Sequence, residues 1–269
     1  MSARDGKSRR SNSMRIAAYQ FGVSGDIDKN FGRIKKAVNE AADLKLDLII
    51  FPECALTGYP HRDFPDTAAL DYENISLRLE EIKALSDRYD INILIGTVAS
   101  DEKIYNRAYL FSPKKSARFY DKRALYGWDE ENFTVGTETG IFNVKGMTIG
   151  VRICFEVRFP EYFRELYKAQ TDLNVVLFND VSEEDDYKRY DLIKCHLITR
   201  AVENVTPILS VNSVSPYQTA PSCFIDASGN VLAEYERNTE GMLIYDFEKK
   251  ELNFGELGRK KVSDSLLEI

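Results

Sequence analysis

Residues 148–161 constrain this chain more than any other stretch. Thr148 to Ile153 is apolar and β-branched, as a buried strand requires, and Pro160 followed by Glu161 is a helix start, so Cys154 falls at the strand-to-helix turn. A thiol there rides on rigid backbone at the C-terminal edge of a sheet. The free N–H groups and partial positive charge of a helix N-terminus favour a thiolate and any oxyanion forming beside it. This address suits a nucleophile. It equally suits a small buried cysteine ending a core strand, and the stretch alone does not separate the two.

The flanking pattern decides what sheet that strand belongs to. Arg15 to Gln20 reads as a strand, Asp28 as the cap of a helix from Lys29 to Leu44, and Asp47 to Pro52 as a strand covered on both faces. Strand, helix and strand at this spacing form a β-α-β unit. Further on, a helix is predicted over Asn74–Tyr89, hairpin strands over Asn92–Ala99 and Lys103–Phe111, and a strand over Ala117–Tyr120. Ala124–Gly140 reads as irregular and aromatic. After the Cys154 strand come a helix over Pro160–Ala169, a strand over Leu173–Phe178, a long helix over Asp185–Val205 and a strand over Pro207–Val211. A hairpin over Ser222–Asp226 and Val231–Tyr235 and a last strand over Gly241–Phe247 complete the pattern. The two halves echo each other, which points to an α/β chain of two α–β layers packed sheet to sheet rather than one doubly wound sheet. Residues 1–13 are expected to be a disordered tail, 14–247 one domain and 248–269 a polar arm.

Composition removes several function classes. A formal charge of −7 and a pI near 5.1 argue against nucleic acid and anionic membrane as partners, since both rest on clustered Lys and Arg. No apolar run approaches the roughly 18 residues of a membrane span. The four cysteines at 54, 154, 195 and 223 show no paired spacing and no secretory h-region is visible, so reduced thiols and a cytoplasmic location are expected. The only histidines are His61 and His196, with no C-x-x-C or H-E-x-x-H pattern beside them, so no metal and no organic cofactor is expected. A hydrolytic base must then come from carboxylates or lysines.

Three polar residues stand at the C-terminal ends of predicted strands: Glu53, Lys122 and Cys154. That edge is where chemistry collects in layered α/β folds. Acyl transfer from an amide needs a nucleophile, a base and a donor for the tetrahedral oxyanion, and these three supply them without histidine. Taken singly, Glu53 reads as a turn cap, Lys122 as a solvated charge and Cys154 as core.

Taken together, Phe51-Pro-Glu53, Tyr120-Asp-Lys122-Arg-Ala-Leu125 and Ile153-Cys-Phe-Glu-Val-Arg-Phe-Pro-Glu161 resemble the three signature segments of the nitrilase superfamily of carbon–nitrogen hydrolases. Tyr105-Asn106, Arg200 to Asn204, Asn212, Ser222 and Asp226 to Gly229 extend the resemblance across about residues 14–247. It implies a four-layer α-β-β-α sandwich, a homodimer that packs helical faces together, and a Glu–Lys–Cys triad. Glu53 would be the general base, Lys122 the oxyanion stabiliser and Cys154 the nucleophile. Relatives use a second glutamate before a Phe-x-x-Gly, here Phe133-Thr-Val-Gly136; Asp129-Glu130-Glu131 offers three candidates, with Glu130 the choice and Glu131 the alternative. Phe155 stands where many relatives carry Tyr or Trp and leaves its N–H for the oxyanion. Asn179-Asp180 replaces a small residue and a Trp and so alters a pocket wall. Tyr59, His61, Tyr126, Trp128, Arg158 and Asn179 are expected around the pocket, Arg158 either pairing with a substrate carboxylate or with Glu161 at i,i+3. The loop Leu56 to Pro60 is similar to that of the glutaminase domain of NAD synthetase, but no synthetase domain follows. The expected activity is hydrolysis of a small ω-amide or N-carbamoyl compound through a thioester. A nitrilase, an acyltransferase with the same triad and a non-catalytic assembly subunit are the alternatives.

Overall fold

The computed structural model describes residues 13–268. Of the expected tail, residues 1–12 lie outside the described residues and Ser13 already belongs to β1 (Ser13–Gln20). Then follow α1 (Ile27–Asp43), β2 (Leu48–Ile50), α2 (Tyr72–Tyr89), β3 (Asn92–Ser100), β4 (Ile104–Phe111) and β5 (Arg118–Asp121). A five-residue helix α3 (Trp128–Asn132) leads to β6 (Ile141–Val144), β7 (Met147–Ile153), α4 (Pro160–Lys168), β8 (Leu173–Leu177) and β9 (Val181–Ser182). Last come α5 (Tyr187–Asn204), β10 (Ile208–Val211), β11 (Tyr217–Gln218), β12 (Cys223–Ile225), β13 (Val231–Glu234), β14 (Gly241–Glu248) and α6 (Phe254–Leu267).

Two six-stranded mixed sheets result, in the orders β14-β1-β2-β3-β4-β5 and β13-β12-β10-β8-β7-β6. Residue alternation along the strands shows why they stack. In β1, Ile16 and Ala18 point into one cluster with Val151, Ile153, Leu177 and Val211 of the other sheet, while Ala17 and Tyr19 point to the opposite face. That opposite face packs on Phe31, Ile34 and Val38 of α1 and Ile75 and Ile82 of α2. The second sheet likewise turns Val176, Ile208 and Ile225 towards Phe163, Leu166, Ile193 and Leu197 of α4 and α5. The layers are therefore α-β-β-α. Each fully buried aliphatic side chain contributes about 1.5–3 kcal/mol, so the three apolar layers dominate over any surface pairing.

Several boundaries differ from expectation for local reasons. Asp26, not Asp28, caps α1: its side chain accepts the Lys29 N–H at 3.0 Å, and the helix starts at Ile27. An unexpected strand, β6, pairs with β7 through the two-residue turn Lys145-Gly146, which has positive φ at both positions. The arm after 248 contains a helix, α6, opened by a reciprocal cap between Asn253 and Glu256. It docks through polar contacts, Tyr167 to Asp264 and Arg259 to the carbonyls of Val202 and Ala227, while Phe254, Leu257, Val262 and Leu266 are exposed. Its outward apolar residues explain why periodicity did not reveal it. No helix among the described residues is long and apolar enough to cross a membrane.

Candidate active site

Topology brings the three strand-end residues to one edge. β2 and β3 are parallel, and β4 and β5 each reverse direction, so the C-terminal ends of β2 and β5 emerge on the same side. β7, β8 and β10 run parallel in the other sheet. The two C-terminal edges meet where the Glu53 N–H donates to the Phe178 carbonyl at 3.2 Å. Glu53 and Lys122 thus come from one sheet and Cys154 from the other.

The turn after β2 is held by a close backbone approach. Gly96 of β3 runs so near that a Cβ there would lie 2.5 Å from the Pro52 oxygen and 2.6 Å from the Cys54 nitrogen, which only glycine accommodates. Cys54 sits in the left-handed region at φ 52°, and so does Cys154 at φ 48°. Backbone held there costs about 1–3 kcal/mol and persists only where the surroundings enforce it. Around Cys154 the enforcement comes from Glu156 in the short 3₁₀ turn 154–158. Its buried carboxylate accepts the Ile153 N–H at 2.7 Å, the Arg123 N–H at 2.7 Å and the Tyr120 hydroxyl at 2.6 Å. One carboxylate therefore ties the cysteine turn of one sheet to the lysine end of the other. Arg200 of α5 holds the same turn by donating to the Val157 and Arg158 carbonyls at 3.0 and 3.1 Å.

Glu53 is fully buried. Its Oε1 accepts from Lys122 Nζ at 2.9 Å and Asn106 Nδ2 at 2.7 Å, and its Oε2 from the Asn179 N–H at 3.0 Å. Lys122 Nζ donates on its other side to Asp129 Oδ2 at 2.8 Å, and Tyr59 Oη donates to Asp129 Oδ1 at 2.7 Å. Burial disfavours the Lys122 charge, but Glu53, reinforced by Asp129, holds the ammonium well above the ordinary lysine range. Cys154 is partly open to the cleft and otherwise enclosed by protein. Burial pushes its thiol well above the usual range, the Glu53 charge and a hydrogen-bond contact with Glu53 add to this, and Lys122 opposes it. Cys154 thus rests as a thiol beside the Glu53 side chain.

The structure puts Asp129, not Glu130 or Glu131, beside Lys122, and leaves both glutamates exposed. Successive residues of a helix point about 100° apart, so only one of three neighbouring acids faces inward. Asn179 also differs from expectation. Besides its N–H on Glu53, its Nδ2 donates to the Glu53 carbonyl at 3.1 Å and its Oδ1 accepts from Arg62 at 2.7 Å, so it braces the turn rather than walling the pocket.

Cys154 opens into a cleft of about 500 Å³ whose lining includes Tyr59, Tyr126, Trp128, Phe155 and Arg158. Four lysine and arginine side chains line it. Lys122 faces Glu53 and Asp129, Arg62 pairs with Asp63, and Arg189 pairs with Asp180; Arg158 forms no ion pair among the described residues, Glu161 included. Arg189, unrecognised in the sequence, lies nine residues after Asp180, and only the fold shows that it pairs with Asp180 in this cleft. Among the described residues no cluster of three His, Cys, Asp or Glu could hold a metal ion. A larger cavity of about 710 Å³ lies under residues 248–253 and is lined by no cysteine among the described residues, so the smaller cleft is the candidate site.

Comparison with known proteins places the chain in a family and matches its fold. A family model described as "Carbon-nitrogen hydrolase" matches residues 15–253. The chain is 29% identical over 247 residues to 2-oxoglutaramate amidase of Bacillus subtilis, covering 88% of this chain and 91% of that protein. It is 25% identical over 261 residues to apolipoprotein N-acyltransferase of Aquifex aeolicus, covering 87% of this chain and 54% of that one. Among solved structures, an amidase from Nesterenkonia sp. shares the fold with a TM-score of 0.78 at 22% identity, over 96% of this chain and 100% of that chain. A mutant of the Nesterenkonia amidase in complex with butyramide has a TM-score of 0.80 at 20% identity, over 98% of each chain.

Proposed function

Since the chain belongs to the carbon–nitrogen hydrolase family, within the amidase-type branch of the nitrilase superfamily, we propose that it hydrolyses the terminal amide of a short carboxylic acid through a thioester on Cys154. Glu53 accepts the thiol proton as Cys154 attacks the amide carbonyl. The developing oxyanion is held by Lys122 and by the Phe155 N–H, which as the second residue of a 3₁₀ turn has no partner within the turn. Glu53 then protonates the departing ammonia, and water activated by the same carboxylate releases the acid. Asp129 holds Lys122 between two carboxylates so that its ammonium points at one place throughout.

The observation that carries the substrate class is Arg158, the one lysine or arginine of the cleft that has no carboxylate partner among the described residues. A substrate carboxylate would complete it, and the name of the B. subtilis relative, 2-oxoglutaramate amidase, denotes an amide of that kind. The test is ammonia release from glutaramate, butyramide and N-carbamoyl-β-alanine by wild type and Arg158→Ala. The expected result is preference for glutaramate, with KM rising about tenfold or more in Arg158→Ala while butyramide turnover is unchanged. Equal loss on charged and neutral amides, or preference for the carbamoyl compound, overturns the assignment. A cytoplasmic homodimer completes the reading. The exposed Tyr187 and Leu192 on the outer helical layer support the dimer, and light scattering at assay concentration checks it.

A further inference from the structure

We propose that Asn106 positions the base Glu53 against Lys122, and that Cys54, which takes no part in bond making, sets the orientation of the Asn106 amide. This rests on Glu53 acting as the base. Asn106 lies on β4, 1% exposed, and touches both sides of the machinery. Its carbonyl accepts the Lys122 N–H at 2.9 Å, its Nδ2 donates to Glu53 Oε1 at 2.7 Å, and its Oδ1 accepts from the Cys54 thiol at 3.8 Å.

The first consequence concerns which carboxylate oxygen works. Oε1 already accepts from both Asn106 and Lys122, whereas Oε2 accepts the Asn179 N–H, and the Cys154 thiol is in hydrogen-bond contact with the same carboxylate. A carboxylate oxygen has two lone pairs, so the oxygen with room for the thiol proton is Oε2. Asn106 therefore selects the atom that does the proton transfer by occupying the other.

The second consequence concerns the amide itself. The two ends of an asparagine side chain are nearly the same size, and only hydrogen-bond partners decide which faces where. If the amide reversed, its oxygen would face Glu53 Oε1, an acceptor against an acceptor. Cys54 prevents this because it offers a donor on the far side. Burial keeps its thiol well above the ordinary range, with the Glu53 charge adding to the effect, so it remains S–H. The left-handed backbone at Cys54, fastened by the Gly58 N–H on the Cys54 carbonyl at 2.9 Å, aims the sulfur at Asn106.

The test uses Asn106→Ala, Cys54→Ala and Cys54→Ser in the full chain, each carrying Cys195→Ser to remove the exposed thiol. Two readouts are taken from about pH 5 to about pH 9: kcat and KM for amide hydrolysis, and the rate of Cys154 alkylation by iodoacetamide followed by peptide mass. Asn106→Ala should lower kcat about 100-fold with KM little changed, because a base displaced by an ångström loses about that much. Cys54→Ala should lower kcat about five- to tenfold, the value of one hydrogen bond, and Cys54→Ser should restore it. Alkylation of Cys154 should slow in the same order. An unchanged kcat in Cys54→Ala, or Cys54→Ser no better than Cys54→Ala, shows that Cys54 only fills space and overturns the inference. If wild type hydrolyses no amide, the proposed function fails, and the alkylation order still decides the positioning role.

Discussion

Replacing Asp129 by alanine separates this site from the one expected with a glutamate at 130. Asp129 accepts from Lys122 Nζ at 2.8 Å and from Tyr59 Oη at 2.7 Å, and it is nearly buried. Removing one partner of a buried ion pair costs about 3–5 kcal/mol, because the other charge is left desolvated. Lys122 keeps Glu53 at 2.9 Å, which places the loss at the lower end, about 3 kcal/mol. For a chain of this length that lowers the melting midpoint by about 6–12 °C. Activity should fall further than stability, by about 100-fold in kcat, since an ammonium tethered on one side no longer holds a fixed place at the oxyanion. Glu130→Ala removes an exposed carboxylate and should change stability by less than about 0.5 kcal/mol and leave kcat within twofold. Calorimetry and a coupled ammonia assay on both variants decide the matter. If Glu130→Ala loses activity as Asp129→Ala does, or Asp129→Ala melts and turns over like wild type, the reasoning from the Lys122 geometry is refuted.

Two further outcomes follow from the site's electrostatics and packing. Glu53→Gln keeps the burial around Cys154 but removes the charge that opposes thiolate formation while Lys122 stays, so the midpoint of Cys154 alkylation should move to lower pH even as amide turnover disappears; a midpoint that rises or stands still contradicts the charge assignment. Gly96→Ala places a methyl 2.5 Å from the Pro52 oxygen, and overpacking of that kind costs about 1–3 kcal/mol and should reduce kcat with it; a variant with unaltered melting and activity would show that the β3 approach is not needed to shape the Glu53 turn.

What the sequence revealed and what it hid divide along contact range. Cys154 was legible because a strand, a turn and a proline-led helix start are local patterns, and Glu53 and Lys122 because they end strands of the same kind. The sheet-on-sheet layering was legible in the echo of the two halves, each a strand, helix and strand, and the full α-β-β-α order in the resemblance carried by the segments around Glu53, Lys122 and Cys154. Asp129 was a named candidate that lost to its neighbour, because the phase of a five-residue helix is set by Lys122 and by Tyr59, which lies seventy residues earlier in the chain. Asn179 was misread as wall because its partners, Glu53 and Arg62, lie more than a hundred residues away. Asn106 was noticed only as part of a resemblance. Nothing local to it says that its two amide ends face a carboxylate and a thiol.

That Glu53 and Cys154 belong to different sheets has a mechanical meaning. Every strand keeps its ladder of hydrogen bonds if one sheet slides bodily over the other, since the interior between them is apolar contact without directional bonds. A slide of one residue step, about 3.3 Å, would still carry Cys154 out of proton-transfer reach of Glu53. Stops against such shear at this edge include the Glu156 carboxylate bonded to Tyr120 and Arg123 across the gap, and Glu53 bonded to the Phe178 carbonyl and to Asn179. Turnover is thus a finer gauge of sheet alignment than any measure of secondary structure, and on warming it should fade while the strands themselves are still intact.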